Sequence, residues 1–181
     1  MGTGRIAYQG VPGSYSFEAC LALRPWDTPV GYETFDETLR AVDEGECDYA
    51  VLPVESSLSG TIRESGALIE ASHLVVMGDV WRPIRLMLMA VPGAQLGSIR
   101  VVESHPVVLD QCRGTLRALG LSAREAFDTA GAARDLALAD DPTRAVIAPA
   151  SAAELYGLQT LRSDVQDSDD NRLRFQVLGR P

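Results

Sequence analysis

Short apolar runs of strand length alternate with amphipathic stretches of helix length from one end of the chain to the other, and few folds accept that order. Strands are expected near residues 5–8, 31–35, 49–54, 74–77, 85–90, 100–103, 145–148 and 174–178. Helices are expected near 15–23, 35–43, 63–71, 106–119, 130–139 and 150–156. A strand followed by a helix, repeated, builds a largely parallel sheet with helices on its faces, so the fold class is α/β. Composition shifts near 79–83 and in the Asp-, Ser- and Asn-rich run 164–171 suggest seams between two lobes. The division read from them is 1–80 plus 170–181 for the first lobe and 81–169 for the second. With the last strand returning to the first lobe the chain crosses twice and encloses a cleft, a favoured place for a small ligand.

At 181 residues the chain can bury a substantial core, and with 46% hydrophobic and 23% charged residues its composition is that of a globular protein. No apolar run approaches the roughly 20 residues of a membrane span, and the first five residues show neither a basic nor an apolar leader segment, so no membrane or secretory role is expected. A net charge of −9 argues against a nucleic-acid surface, which needs clustered Lys and Arg. An anionic small ligand would need local compensation from helix N-termini and single arginines. Cys20, Cys47 and Cys112 are odd in number and far apart, which reads as reduced thiols in the cytoplasm. Two histidines without metal-ligand spacing leave no case for zinc.

Several expected strands end in small polar residues that open a loop or helix, an arrangement that turns backbone N–H groups and hydroxyls toward one edge of the sheet. Gly10 to Ser16 includes Gly13, Ser14 and Tyr15, with Ser14 or Ser16 as candidate helix caps; an ordinary capped turn is the competing reading. Ser56, Ser57, Ser59, Gly60 and Thr61 follow the strand 49–54 and form either a polar pocket or a solvated loop. Ser104 closes another strand before Pro106, with Gln111 and Cys112 further along the helix; Gln111 reads equally as a solvated helix residue, and His105 as a packed or capping one. Thr129, in Asp128-Thr129-Ala130-Gly131, offers a hydroxyl at a further helix start. Arg174 is the candidate for gripping a carboxylate, against a salt bridge to the acidic run 164–170 as its alternative.

Taken in order, Ala7-Tyr8-Gln9-Gly10-Val11-Pro12-Gly13-Ser14-Tyr15-Ser16, Asp48 through Glu55, Ser104-His105-Pro106 with Gln111-Cys112, Ala152 through Leu158, and Arg174-Phe175 resemble the catalytic domain of prephenate dehydratases. The resemblance implies two Rossmann-like lobes of the type 2 periplasmic-binding-protein kind, with a small dicarboxylate in the interlobe cleft. It also implies a homodimer, a cytoplasmic setting, no metal and no organic cofactor. The family's reaction expels the ring carboxylate and ring hydroxyl of prephenate, or of arogenate, to give phenylpyruvate or phenylalanine. The resemblance carries Ser56, Ser104, Gln111 and Leu173 over as catalytic positions. It carries Gly13, Ser14, Tyr15, Ser57, Gly60, Thr61, Thr129 and Arg174 over as substrate-binding ones. Two positions depart from the family's pattern: Ser56 stands where Asn is usual, and Leu173 stands where the family has the Thr of Thr-Arg-Phe. Leucine cannot donate a proton, so non-aromatising decarboxylation of prephenate, or binding without turnover, stands beside dehydration as the expected function. The chain's end soon after this motif carries the further expectation that no regulatory ACT domain follows.

Overall fold

The computed structural model describes residues 3–181, which divide into two compact units. The first holds residues up to Val11, Tyr15–Ile84 and Asp170–Pro181; the second holds Pro12–Ser14 and Arg85–Asp169. Each is a mixed α/β unit built on its own sheet.

In the first unit the sheet order is β2 (Thr28–Tyr32), β1 (Arg5–Gln9), β3 (Tyr49–Ser56), β11 (Arg172–Gly179) and β5 (Val75–Pro83), with the short β4 (Gly60–Thr61) folded back on β3. β1 runs parallel to β2 and β3, whereas β11 is antiparallel to both β3 and β5. Helices cover both faces. α2 (Phe35–Asp43) and α3 (Arg63–Ala71) close one, burying Leu39 and Val42 against Ala7, Ala50, Leu52 and Leu178. α1 (Tyr15–Leu23) closes the other, where Ala19 and Cys20 meet Ile6, Tyr8, Val51, Phe175 and Val177.

The second unit's sheet has the order β10 (Gln159–Arg162), β6 (Met87–Ala90), β9 (Arg144–Ala148), β7 (Val101–Ser104) and β8 (Ser122–Glu125). β7 is parallel to β8 and β9, while β6 is antiparallel to β9 and β10. Its buried interior comes from Leu88, Met89, Val102, Ala145–Ala148 and from Leu136 on α6 (Thr129–Ala139). Glu103, inside β7, is held by Arg124 of β8 and Arg144 of β9, so a nearly buried carboxylate is matched by two cations.

Both sheets are therefore mixed, where the strand-helix alternation alone suggests a largely parallel one. The strands that run against the rest are β11 and the short β4 in the first sheet and β6 in the second. β8 and β10 were not expected at all. Ser122–Glu125 is exposed throughout and Gln159–Arg162 is polar, so neither carries the apolar period that marks a strand. β2 ends at Tyr32 rather than 35 because Thr34 and Glu37 form a reciprocal capping box that starts α2. β5 runs on to Pro83 through the presumed seam at 79–83, since its pairing with β11 along the whole length overrides the turn-like Gly78-Asp79.

The single helix expected over 106–119 is two, α4 (Pro106–Gln111) and α5 (Arg113–Ala118). The break has a cause remote in sequence. The Asp167 carboxylate accepts the N–H groups of Gly114 and Thr115 and the Thr115 hydroxyl, capping a new helix in mid-run. Burial alone would raise the Asp167 pKa, but the backbone hydrogen bonds from Gly114 and Thr115 outweigh it and hold the carboxyl below its usual range. Asp141 is lowered by the backbone and hydroxyl of Thr143, and Asp164 by its bond to Arg85. A carboxyl whose folded pKa lies below its unfolded one stabilises the fold above the unfolded value, and that contribution disappears as pH falls through the folded value. The thermal midpoint should therefore stay level from pH 7 to about 5 and drop below about pH 4. Asp167→Asn should flatten that drop in a pH series of melting curves.

Candidate active site

In the first unit the parallel strands β1, β2 and β3 end on one edge of the sheet, at Gln9, Tyr32 and Ser56. Antiparallel β11 begins there, so Leu173 and Arg174 join them. Carboxyl edges of parallel strands are where open α/β sheets take ligands. Ser56, Ser57, Gly60, Thr61, Leu173 and Arg174 are thus gathered by topology, although they are spread over more than a hundred residues of sequence.

Ser56 and Leu173 lie directly opposite each other on neighbouring strands. The two departures from the prephenate dehydratase pattern are consequently one cross-strand pair, on the face covered by α1, where Leu173 and Tyr15 both pack against the Phe175 cluster. Ser56 is buried, and its Oγ accepts the N–H groups of Leu58 and Ser59 across the tight turn into β4. Those two donors point at the oxygen and leave its own O–H as the side chain's donor. The Ser57 hydroxyl stitches β3 to the start of β11: it donates to the carbonyl of Asp170 and accepts from the N–H of Arg172, both at 2.8 Å. Gly60 turns with φ +77° and Thr61 is exposed on β4.

Arg174 leaves the opposite face of β11 from Leu173, because successive strand residues alternate. Its Nε donates to Asp79 at 2.6 Å and its Nη1 lies 3.5 Å from Glu55, so the guanidinium ties β11 to both neighbours. The bond to Asp79, then its charge, raise the Arg174 pKa. The expected alternative partner, the acidic run 164–170, is engaged elsewhere: Asp164 pairs with Arg85. Arg174 and Leu173, neighbours in one motif, therefore present their side chains to opposite faces of the sheet. Sequence reading also passed over Asp79, whose place opposite Gln176 becomes visible only with the strand register. It passed over Asn171 too, a carboxamide only 1% exposed, two residues before Leu173, with no hydrogen-bond partner among the described residues.

In the second unit Ser104 is the last residue of β7, and Thr129 opens α6 just after β8, parallel to it. The Pro12–Ser14 turn meets α7 (Ala150–Tyr156), which starts where parallel β9 ends; the Tyr156 hydroxyl donates to the Pro12 carbonyl at 2.6 Å. Gly13, with φ +93°, comes so near Ala152 that a Cβ would lie 3.1 Å from its Cα. Gly13, Ser14, Ser104 and Thr129 thus share the carboxyl edge of this sheet. Gln111 stands at the far end of α4, about 8 Å along the axis from Pro106 at 1.5 Å per residue.

α4 is capped by the His105 ring, one of the two roles expected of it, which accepts from the N–H of Val107; α6 is capped by Asp128, which accepts from Gly131, rather than by the Thr129 hydroxyl, and Ser104 caps no helix. Ser104 is fully buried, its hydroxyl donating to the carbonyl of Ile147 at 2.7 Å. Cys112, beside Gln111, is buried, and burial, helped by Asp167, pushes its thiol up to about 12, leaving it protonated and a poor nucleophile at neutral pH. Among the described residues no three His, Cys, Asp or Glu side chains gather as a metal site, and no helix is long and apolar enough to cross a membrane.

Two mixed α/β units, each with polar groups at the carboxyl edge of its own sheet, define a protein of the open-sheet α/β class. The sequence profile described as prephenate dehydratase matches residues 6–181. An arogenate dehydratase of Petunia hybrida is 43% identical over 180 residues, covering 98% of this chain and 42% of its own length. A bifunctional N-acyl-homoserine lactone acylase/prephenate dehydratase of Komagataeibacter europaeus is 38% identical over 175 residues, covering 97% and 62%. The solved prephenate dehydratase of Arthrobacter aurescens, in complex with L-Phe, superposes with a TM-score of 0.89 at 26% identity, covering 98% of this chain and 60% of its own. The chain belongs to the prephenate dehydratase family, and it spans about 40 to 60% of the length of these relatives.

Proposed function

We propose that the chain acts on prephenate or arogenate, removing water and carbon dioxide. The observation that carries this reading is the family match along residues 6–181, reinforced by relatives named for those two dehydrations. In the reaction the bond from the ring to its carboxylate breaks, and its electron pair enters the ring as the opposite carbon loses hydroxide. A proton taken up by the departing hydroxide makes it water, and aromatisation drives the whole. The protein's share is to hold the carboxylates and to help hydroxide depart.

With leucine at 173, a donor stands directly across the strand pair, the O–H of Ser56. Its oxygen already accepts two backbone hydrogen bonds, which favour the developing alkoxide and strengthen it as a donor. Incubation with prephenate and, separately, with arogenate tests the reading: phenylpyruvate or phenylalanine with carbon dioxide is the expected product. One observation favours a second reading, decarboxylation that keeps the ring hydroxyl. The apolar Leu173 lies where a donor to that hydroxyl is expected, and a dihydro product with carbon dioxide would establish this course instead.

Arg174 separates a binding role from a purely structural one. Arg174→Ala should weaken prephenate binding by about tenfold or more, the loss of a charge-assisted hydrogen bond. An unchanged dissociation constant in calorimetry would leave the guanidinium as a link between Glu55 and Asp79 alone.

A further inference from the structure

Phe127 is the most exposed large apolar residue among those described, at 92%, and it stands at the carboxyl edge of the second sheet, just beyond β8. Single exposed apolar side chains are ordinary on a protein surface, so exposure alone decides nothing. What sets Phe127 apart is how firmly its backbone is held beside the candidate site. On one side Ala126 donates its N–H to the carbonyl of Ser104, at the end of β7, at 2.8 Å. On the other, Asp128 caps α6 by accepting the N–H of Gly131, and its own carbonyl accepts from Ala132. A Cβ on Gly131 would lie 2.5 Å from the Asp128 carboxylate, so the glycine is what lets this cap sit so close. Residue 127 is thus fixed between the strand end at Ser104 and the helix start at Thr129, with its ring in solvent. Val107, 58% exposed, opens α4 from the adjoining strand end, and its N–H is held by the His105 ring.

We propose that Phe127, with Val107 on the adjoining strand end, is the apolar seat for the six-membered ring of the ligand, and so a specificity-determining residue. The inference rests on the reading of the substrate as prephenate or arogenate, and adds the residue that recognises its ring. Small-ligand sites pair a few polar groups with apolar and aromatic walls. At this edge Thr129 and the Pro12–Ser14 turn supply groups suited to carboxylates and hydroxyls, and Phe127 and Val107 supply the apolar surface.

The course of the reaction favours an aromatic residue in that place. Before reaction the ring carbons bearing the carboxylate and the hydroxyl are tetrahedral, and their substituents stand off both faces of the ring. Loss of carbon dioxide and water makes both carbons trigonal, so the ring becomes flat, clear on both faces and aromatic. A phenyl side chain packs more closely against such a ring, offset or edge to face. Phe127 therefore holds the product more tightly than the substrate. It also favours the transition state, where the ring is part-way flat, over the bound substrate, which is the direction that assists turnover.

Calorimetry with phenylpyruvate and with prephenate tests this. Phe127→Ala should raise the dissociation constant for phenylpyruvate about tenfold and that for prephenate about threefold. Phe127→Leu, apolar but without the ring, should fall between Phe127→Ala and the unmodified protein. Melting curves of both variants should stay in place, because a ring this exposed holds little of the fold together. Trp26→Ala is the control, an aromatic residue 83% exposed just before β2 begins, and it should alter neither constant. Equal affinity for phenylpyruvate in Phe127→Ala and the unmodified protein, or a loss that Trp26→Ala matches, would overturn the proposal and leave the dehydration reading in place. An unmodified chain that binds neither compound would overturn both.

Discussion

The double substitution Leu173→Thr with Ser56→Asn is expected to raise turnover of prephenate to phenylpyruvate by about 100-fold, the lower end of what a positioned general acid contributes. The reason is geometric. Ser56 and Leu173 are direct cross-strand partners, so restoring the family's amide and hydroxyl places both polar groups on one patch of one sheet face. The single variants should gain less than their combination, because neighbours on facing strands couple. Leu173→Thr alone adds a hydroxyl beside the apolar cluster of Tyr8, Val51 and Phe175 and removes packing from it. It should cost about 1 kcal/mol of stability, for a half-buried leucine that loses part of its apolar surface. Ser56→Asn should leave the turn intact, since an asparagine side chain can accept the N–H groups of Leu58 and Ser59 as serine does. Initial rates for the four proteins, with melting curves beside them, form the cycle. Equal rates in the original and the double variant would show that Leu173 is not what limits dehydration.

How far the sequence reveals this arrangement depends on whether a residue's signal is local. α1, α2, α3 and α7 begin and end where the local residue pattern places them, and α2 carries a side-chain capping box as well, whereas α3 and α7 start without a side-chain cap. The break between α4 and α5 was invisible because its cause, Asp167, lies 53 residues from the Gly114 N–H it accepts. Strand direction was invisible for the same reason. Whether β11 runs with or against β3 is decided by where the chain returns, not by anything in Leu173-Arg174-Phe175. The candidate site divides along that line. The hydroxyl-rich loops after β1 and β3 were legible as motifs, and the structure does put them at strand ends. The Ser56–Leu173 pairing, the separation of Arg174 onto the other face and its capture by Asp79 all need the register, which no single segment encodes.

Gly31 joins the fold to the site most directly, and Gly31→Ala is expected to damage both. A Cβ at position 31 would lie 2.4 Å from the carbonyl oxygen of Gly10 and 3.1 Å from the hydroxyl oxygen of Tyr8. The backbone oxygen cannot step aside like the end of a flexible side chain, because Gly10 is itself tied down, its N–H donating to Tyr32 at 2.8 Å. Overpacking of this kind costs about 3 kcal/mol at its upper range, which for a chain of this size is roughly 6 to 12 °C in melting temperature. Relief requires the turn after β1 to move, and that turn carries Gly13, Ser14 and Tyr15. Substrate binding should therefore weaken along with stability, a coupling that calorimetry with prephenate would read beside the melting curve. Gly66→Ala supplies the contrast. It lies within α3 with nothing within 4 Å of its built Cβ, so alanine there should raise stability by about 0.5 to 1 kcal/mol and leave binding alone. If Gly31→Ala melted like the unmodified protein and bound prephenate equally well, the turn after β1 would have to be far more yielding than its hydrogen bond to β2 implies.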